Sequence, residues 1–354
     1  MIPSFHKDAQ RDSGDAGVVE WERCMRILIV TPAPAGSRLG NRVTALRWAR
    51  LLRQAGHRVT VRERFDRQVC DVFIALHARK SAAAIEGFHA AYPHQPIVLA
   101  LTGTDLYQDL PTSADAQRAL ERATRCIVLQ ELALAELPAP ARAKTRVIYQ
   151  SVTVPRRIPR KPRDVFRVCV LGHLRDVKDP LRTAAAARLL PASSRVQVLH
   201  IGAALSNAMR DAAEAEMRAN PRYRWIGEVS RTTALRQLGA SHVLSLTSIH
   251  EGGANVVSEA CVLGVPVITS RIPGSLGLLG ADYPGIFAVG DTQELAVLLE
   301  RIEHDAPFLS ELTKRSVARA PLFAPERELR ALAELLRELP ASRGTGGRTR
   351  VDES

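Results

Sequence analysis

Short apolar, β-branched runs alternate with amphipathic stretches of helical period, and the pattern is traversed twice, with one proline-rich basic break between. In the first half, Arg26–Thr31, Arg58–Arg62, Asp71–Leu76, Pro96–Leu101, Cys126–Leu129 and Arg146–Tyr149 read as strands. Asn41–Gln54, Arg79–Ala91, Asp115–Thr124 and Glu131–Leu137 read as the helices between them. Strand–helix alternation over short connectors means βαβ units, and βαβ units make a parallel sheet. The stretch LLRQAGHRVTV shows one unit plainly: a helix, Gly56 able to cap it, then a β-branched strand.

Around residues 152–164 the pattern fails. VTVPRRIPRKPRD holds three prolines and a run of basic residues with no apolar periodicity, so it reads as a linker. The alternation then restarts, with strands at Phe166–Leu171, Arg195–Ile201, Tyr223–Ile226, His242–Leu246, Pro266–Ser270 and Gly285–Ala288. Helices read at Pro180–Leu189, Asn207–Asn220, Thr232–Leu238 and Ala254–Leu263, and further helices from Thr292 to Leu339 close the domain. The expected division is an extension at 1–24, a Rossmann-like domain at 25–151, the linker at 152–164 and a second Rossmann-like domain at 165–325. A terminal helix at 326–340, able to return to the first domain, and a disordered Gly-rich tail at 341–354 complete it. Residues 1–24 are polar and lack a signal core, so they read as disordered or as a product of start-codon choice. At 354 residues, each half is long enough to bury a core of its own.

Composition excludes more than it selects. No segment approaches the roughly 18 consecutive apolar residues of a membrane span. The five cysteines form no C-x-x-C pair, and Cys70, Cys126, Cys169 and Cys261 sit in apolar runs. They read as small buried hydrophobes of a reducing, cytoplasmic compartment. The formal charge of +12 invites a nucleic-acid reading. The arginines are scattered, however, and no aromatic-interleaved basic stripe accompanies them. A basic cleft for small anionic substrates fits the charge, while nucleic acid and stable membrane association are not expected. No acidic cluster has divalent-metal spacing, so neither a catalytic metal nor a bound cofactor is expected. The oligomeric state is open.

The segment SIHEGGANVVSEACVLGVPVITS, residues 248–270, carries the most specific chemistry. Glu251 and Glu259 stand eight apart, and Gly252, Gly253, Ala254 and Asn255 between them open a helix directly after a strand. A helix start presents unpaired N–H groups and partial positive charge, which suits a diphosphate. Glu259, two turns along, can reach a ribose diol, and Glu251 at the mouth can reach sugar hydroxyls. The competing reading makes both ordinary surface glutamates of an amphipathic helix.

Other loops leave carboxyl ends of strands, where open α/β sheets place ligands. PAPAGSRLGNR contributes Gly36, Gly40, Asn41 and Arg42 for phosphate or acceptor. ALHARKSA carries His77, Arg79 and Lys80, of which His77 is either a cleft residue or merely a strand-end histidine. The adjacent Arg79–Lys80 pair suits an anion. ALTGTDLYQDLP adds Thr102, Gly103, Thr104 and Asp105.

The 248–270 segment resembles the donor site of family-4-type, nominally retaining GT-B glycosyltransferases. That resemblance implies two Rossmann-like domains with parallel sheets facing an interdomain cleft. It also implies sugar contacts from Glu251, Gly252, Gly253 and Ala254, and a ribose contact from Glu259. The family's Gly-Arg-Leu segment with a following lysine, which neutralises the leaving diphosphate, corresponds to VLGHLRDVKDP. Gly172, Leu174 and Lys178 match it. His173 stands where the family has arginine, and Arg175 is the candidate replacement for that charge. Thr102 occupies a slot where related enzymes often carry histidine.

RLGNRVTALRWA, LHARKSAAAIE, LTGTDLY, VLGHLRDVKDP, EGGANVVSEA and SRIPGSLGLLG together resemble, more narrowly, the selenosugar synthases of selenoneine biosynthesis, from Met25 to about Leu339. In that family a UDP-sugar, UDP-N-acetylglucosamine or UDP-glucose, reacts with selenophosphate to give a 1-seleno-sugar, UDP and phosphate. The implied roles are donor activation by Lys178, Glu251, His173 and Arg175, and anion holding by Arg42, Arg79 and Lys80. The alternatives are transfer to a glycan, lipid or small alcohol, a sugar-nucleotide epimerase or hydrolase, and a non-catalytic nucleic-acid binder.

Overall fold

The computed structural model describes residues 24–340; the expected extension, apart from Cys24, and the expected tail lie outside the described residues. The first sheet comprises β1 (Arg26–Val30), β2 (Arg58–Arg62), β3 (Val72–Leu76), β4 (Ile97–Ala100), β5 (Arg125–Val128) and β6 (Thr145–Val147). The second comprises β7 (Phe166–Leu171), β8 (Val196–Ile201), β9 (Tyr223–Trp225), β10 (Val243–Leu246), β11 (Val267–Ser270) and β12 (Ile286–Phe287). Every pairing is parallel. The strand runs expected from the sequence are found, two of them with the same bounds and the rest with ends shifted by at most two residues.

The first half carries α1 (Gly40–Gln54), α2 (Ala82–Ala91), α3 (Ala114–Arg122) and α4 (Ala139–Ala143). The second carries α5 (Arg182–Arg188), α6 (Asn207–Ala219), α7 (Arg231–Gly239), α8 (Asn255–Leu263), α9 (Pro273–Leu279), α10 (Thr292–His304), α11 (Ala306–Arg319) and α12 (Pro325–Arg337). Among the described residues no helix is long and apolar enough to cross a membrane.

Strand order places the ligand site. The first sheet runs β2-β1-β3-β4-β5-β6, so the chain reverses direction between β1 and β3. The second runs β12-β11-β10-β7-β8-β9, with its reversal between β7 and β10. At such a switch point the connections leave to opposite faces and open a crevice at the strands' carboxyl ends. The loops that border the two crevices are 31–39 and 77–81 in one half, and 172–181 and 247–254 in the other.

Side-chain alternation gives the first sheet two cores. Phe73 packs with Ile85 and Phe88 of α2 and Leu120 of α3 on one face. Ile27, Ile29 and Ile74 pack with Trp48 and Leu52 of α1 on the other, and that cluster also takes in Leu332, Leu335 and Leu336 of α12. The last of the described helices therefore completes the core of the first half. A single larger cluster, from Tyr149 to Phe323, fills the second half.

Four local departures from the sequence reading stand out. Glu131–Glu136 is a tighter 3₁₀ helix, and α2 begins at Ala82, not Arg79. Asp105–Asp109 forms a wide turn in which Leu110 N–H reaches back to the Asp105 carbonyl at 2.8 Å. The unexpected α9, PGSLGLL, has poor intrinsic helix propensity. Tertiary contact explains it: a Cβ on Gly274 would stand 2.0 Å from the Glu251 carbonyl, and one on Gly277 1.9 Å from Gln130 Oε1.

The halves also touch backbone to backbone. A Cβ on Gly103 would lie 2.8 Å from Gly252 N, and Gly103 itself adopts φ +143°. Gly103→Ala carries both penalties, and strain of this kind costs about 1–3 kcal/mol. The expected outcome is a lowered urea midpoint, with the secondary structure retained by circular dichroism; an unchanged midpoint would show that the contact can relax freely.

Candidate functional site

A cavity of about 440 Å³ lies between the halves, lined by the loops at both switch points. Two helix starts open onto it. Gly40 and Asn41 begin α1, Ala254 and Asn255 begin α8, and neither helix has a side-chain cap at its N-terminus. Uncapped first-turn N–H groups from both sides give the cavity positive potential and free donors, a setting for phosphate oxygens.

Lys178 follows β7 and Glu251 follows β10, so adjacent strands deliver them to one place. Lys178 Nζ donates to Glu251 Oε1, and Ser248 Oγ donates to the same oxygen at 2.7 Å. Both residues line the cavity and are largely buried. Glu259, one helical turn beyond Asn255 on α8, is buried and pairs with Arg231 Nη1 at 2.8 Å. Burial pushes its carboxyl above the ordinary range, while Arg231 and Arg47 pull it back.

Gly172, His173 and Arg175 line the same wall. Ala203 N–H donates to His173 Nδ1 at 3.1 Å, which leaves the ring proton on Nε2, facing the Arg38 carbonyl at 3.5 Å. Burial holds the imidazole below its usual pKa, so His173 is a neutral donor and not a substitute for a permanent cation. Arg175 lines the cavity and makes no ion pair among the described residues, so its charge is available there.

On the opposite wall stand His77, Lys80, Thr102, Gly103 and Thr104. His77 is buried, with φ +76° at the end of β3. Lys80 N–H donates to His77 Nδ1 at 3.4 Å, and Nε2 lies 3.2 Å from Thr104 Oγ1. Burial lowers the His77 pKa against the opposing pull of Asp105, so the neutral ring presents an Nε2–H toward Thr104. His77 is thus a cleft residue held in one tautomer.

Five expected site residues do not reach the cavity wall. Asp105 is fully buried, and its carboxylate accepts the N–H groups of Thr102, Gly103 and Ala78 at 2.9, 2.8 and 3.0 Å. It shapes the loop and has nothing left for a ligand. Arg79 is drawn to Asp109 at 2.7 Å, so only Lys80 of the basic pair lines the cavity. Arg42 and Gly36 also lie off the wall. Gly252 is spent on the interdomain contact with Thr102, while Gly253 lines the cavity.

Other lining residues were missed by sequence reasoning. Arg38 crosses from the first half to the Val229 carbonyl and lies 3.8 Å from Glu228. Arg231 begins α7 just beyond them, and His250 stacks at 6.2 Å on Tyr107 of the other half. The signal for 227–231 was present: the segment follows β9 at the same carboxyl edge. Arg38 and His250 lie inside the segments 32–42 and 248–270 already singled out, but nothing in their type marks them.

The family model described as Glycosyl transferases group 1 matches residues 153–319. Among solved structures the chain is similar to HepE of Anabaena in complex with UDP-glucose, with TM-score 0.71 and 18% identity over 89% of this chain and 100% of that one. It is similar to sucrose-phosphate synthase of Thermosynechococcus elongatus, with TM-score 0.75 and 17% identity over 90% and 99% of the two chains. A third likeness is to an E. coli trehalose-6-phosphate protein bound with UDP-2-fluoro glucose, at TM-score 0.68 and 13% identity over 89% and 100%. Together with the two facing parallel sheets, these likenesses assign the GT-B fold.

One buried group ties the site wall to stability. His200 on β8 donates Nε2–H to the Gly172 carbonyl at 3.1 Å and accepts from Tyr223 OH at 2.8 Å. Burial lowers its pKa from 6.5 to about 4. Below pH 6.5 the unfolded chain therefore takes up a proton that the native state refuses until about pH 4. Native stability is lost as pH falls through that window, by about 3 kcal/mol at 1.36 kcal/mol per pH unit. Urea titrations from pH 7 to 4 should show this loss in the wild type and a shallower one in His200→Gln; parallel curves would refute the assignment.

Proposed function

We propose that this chain, whose residues 153–319 match the group 1 glycosyltransferase model and whose fold is GT-B, transfers a hexosyl group from a UDP-sugar to selenophosphate. The observation that carries the donor half is the meeting of Lys178, Glu251, Glu259 and the uncapped start of α8 on one cavity wall. In this reading the diphosphate lies against the first-turn amides of α8, with Lys178 and Arg175 neutralising the departing charge. Glu251 accepts from sugar hydroxyls and Glu259 from the ribose diol.

The acceptor half rests on the chemistry of the facing wall. Lys80 supplies charge, while Thr102, Thr104 and the neutral His77 supply hydrogen-bond donors, and the nearby Asp105 is consumed internally. A neutral alcohol acceptor needs a base to remove its proton. Selenophosphate is already anionic and nucleophilic through selenium, so it needs holding more than activation. This suits the residues present and accords with the sequence resemblance to selenosugar synthases. Selenium attacks the anomeric carbon, the C–Se bond forms, and the C–O bond to UDP breaks with its electron pair leaving on UDP. Water then cleaves the Se–P bond, phosphate departs, and the product is the 1-seleno-sugar.

Lys178→Ala and Glu251→Ala are each expected to lower kcat/KM by about 10²–10³-fold, the scale of a lost transition-state donor. Turnover at the wild-type level in both would overturn the donor assignment. For the acceptor, purified protein is incubated with UDP-N-acetylglucosamine or UDP-glucose, with and without enzymatically generated selenophosphate. UDP release that depends on selenophosphate, with a hexosyl product bearing selenium's isotope pattern by mass spectrometry, is the expected result. Slow UDP release indifferent to selenophosphate would reject this acceptor and return the search to ordinary alcohols.

A further inference from the structure

We propose that His77, Thr104 and Lys80 build a subsite for a tetrahedral oxyanion, with His77 the positioning residue that leaves the Thr104 hydroxyl proton to the ligand. Inorganic phosphate, a product of the proposed reaction, is the anion this subsite takes. The inference rests on the acceptor half of the proposed function for the anion's identity. All three residues line the cavity, and they come from the loops that follow β3 and β4. Lys80 is exposed and makes no ion pair among the described residues, so its charge is available there.

One carboxylate locks those two loops into a single unit. Asp105 Oδ2 accepts Ala78 N–H at 3.0 Å, and Oδ1 accepts Thr102 and Gly103 N–H at 2.9 and 2.8 Å. His77 and Thr104 stand next to those amides, so the backbone sets how far apart they lie. His77 is also pinned on both sides. Its N–H donates to the Ala100 carbonyl at 2.9 Å, and its carbonyl accepts Ser81 N–H at 3.0 Å. The φ of +76° held in this way is a costly conformation for a residue with a side chain. Such strain persists only where the surroundings impose it, and it clusters at sites that hold ligands. It leaves His77 2% exposed, at the cavity wall.

One amide fixes the hydrogen-bond polarity of the whole unit. A peptide N–H can only donate, so Lys80 N–H at 3.4 Å makes Nδ1 of His77 the acceptor and puts the ring proton on Nε2. Two oxygens lie near Nε2: Thr104 Oγ1 at 3.2 Å and Asp109 Oδ2 at 3.9 Å. Only the first is within hydrogen-bond range. Asp109 is drawn to Arg79 instead and does not line the cavity. Thr104 Oγ1 therefore accepts from the ring, and its own proton has no acceptor among the described residues. That proton is left for the ligand, and an oxyanion oxygen accepts it. An alcohol nucleophile needs a base for its proton, and this unit offers none: Nδ1 is occupied and the Asp105 carboxylate is filled.

The test is calorimetric titration of inorganic phosphate into UDP-saturated protein, where UDP already fills the diphosphate wall. Wild type should bind one phosphate. Thr104→Val keeps the shape and removes the hydroxyl, and should raise the phosphate Kd about tenfold, the scale of one hydrogen bond to a charged group. Thr104→Ser should restore most of the affinity. His77→Asn tolerates the left-handed backbone but is too short to reach Thr104, and should cost as much as Thr104→Val. In a Thr104→Val background, His77→Asn should change Kd less than about twofold, because both act through one hydroxyl. Lys80→Met should lower the affinity most at low salt, where an exposed charge is least screened. Each variant is also titrated with UDP, which reports on folding and on the donor wall. Wild type that takes no phosphate, an unchanged Kd in Thr104→Val, additive losses in the double variant, or an equal loss of UDP affinity would each overturn the inference. Phosphate bound as expected by a protein with no selenophosphate-dependent UDP release would instead bring down the proposed acceptor and leave the subsite standing. Wild type that binds no UDP would bring down the donor reading, and the same comparison on the free protein then decides the subsite.

Discussion

The cavity exists because two backbones meet without side chains between them. Thr102–Gly103 at the end of β4 and Glu251–Gly252 at the end of β10 approach so closely that a Cβ on either glycine would overlap the other half. This contact brings the carboxyl edges of two parallel sheets face to face, and each edge brings its own switch-point loops. It also determines what the loops can do. Asp105 gathers the amides of 102 and 103 into the required turn, and Gly274 of α9 packs against the Glu251 carbonyl from behind. Glu251 is thereby held on both sides of its own peptide, which is how a residue in a loop acquires a defined direction.

Charge is organised around the same meeting place. The described residues place few free cations on the cavity wall, because most arginines near it are already paired: Arg47 with Glu328, Arg79 with Asp109, Arg231 with Glu259. What remains are Lys80 and Arg175, two neutral histidines and two helix starts. Amide donors and helix dipoles are fixed by the backbone and need no side-chain ordering when an anion arrives. The overall charge of +12 therefore says little about the site; the local field comes mainly from geometry.

The fold was legible because both of its determinants are local. Alternation of β-branched runs with amphipathic stretches reports strand and helix, and short connectors report parallel pairing. The donor motif was legible because Glu251, the glycines and Glu259 are close in sequence and straddle one strand–helix junction. Residues whose role depends on the other half were not. Arg47 reads as one polar position on an amphipathic helix until Glu328, 281 residues away, is brought beside it. Asp105 and Arg79 have the right residue types for an anion loop, and only their tertiary partners, the 102–103 amides and Asp109, show that they are spent elsewhere. The helix α9 escaped for the same reason, since its glycines answer to Gln130 and Glu251 and not to helix propensity.

The pairing of Lys178 with Glu251 bears on which ligand the site admits. Without a ligand each satisfies the other, and only Ser248 adds a further hydrogen bond to the carboxylate. Under the proposed reaction, a UDP-sugar offers both a replacement: diphosphate oxygens for Lys178 and a hexose hydroxyl for Glu251. UDP alone offers only the first. A lysine drawn to UDP would leave a largely buried carboxylate with one hydroxyl donor, and an under-satisfied buried charge is costly. The ion pair thus opposes the product more than the substrate. Under the same reading the pair would re-form once the sugar has left, favouring release of UDP from the wall that bound the donor.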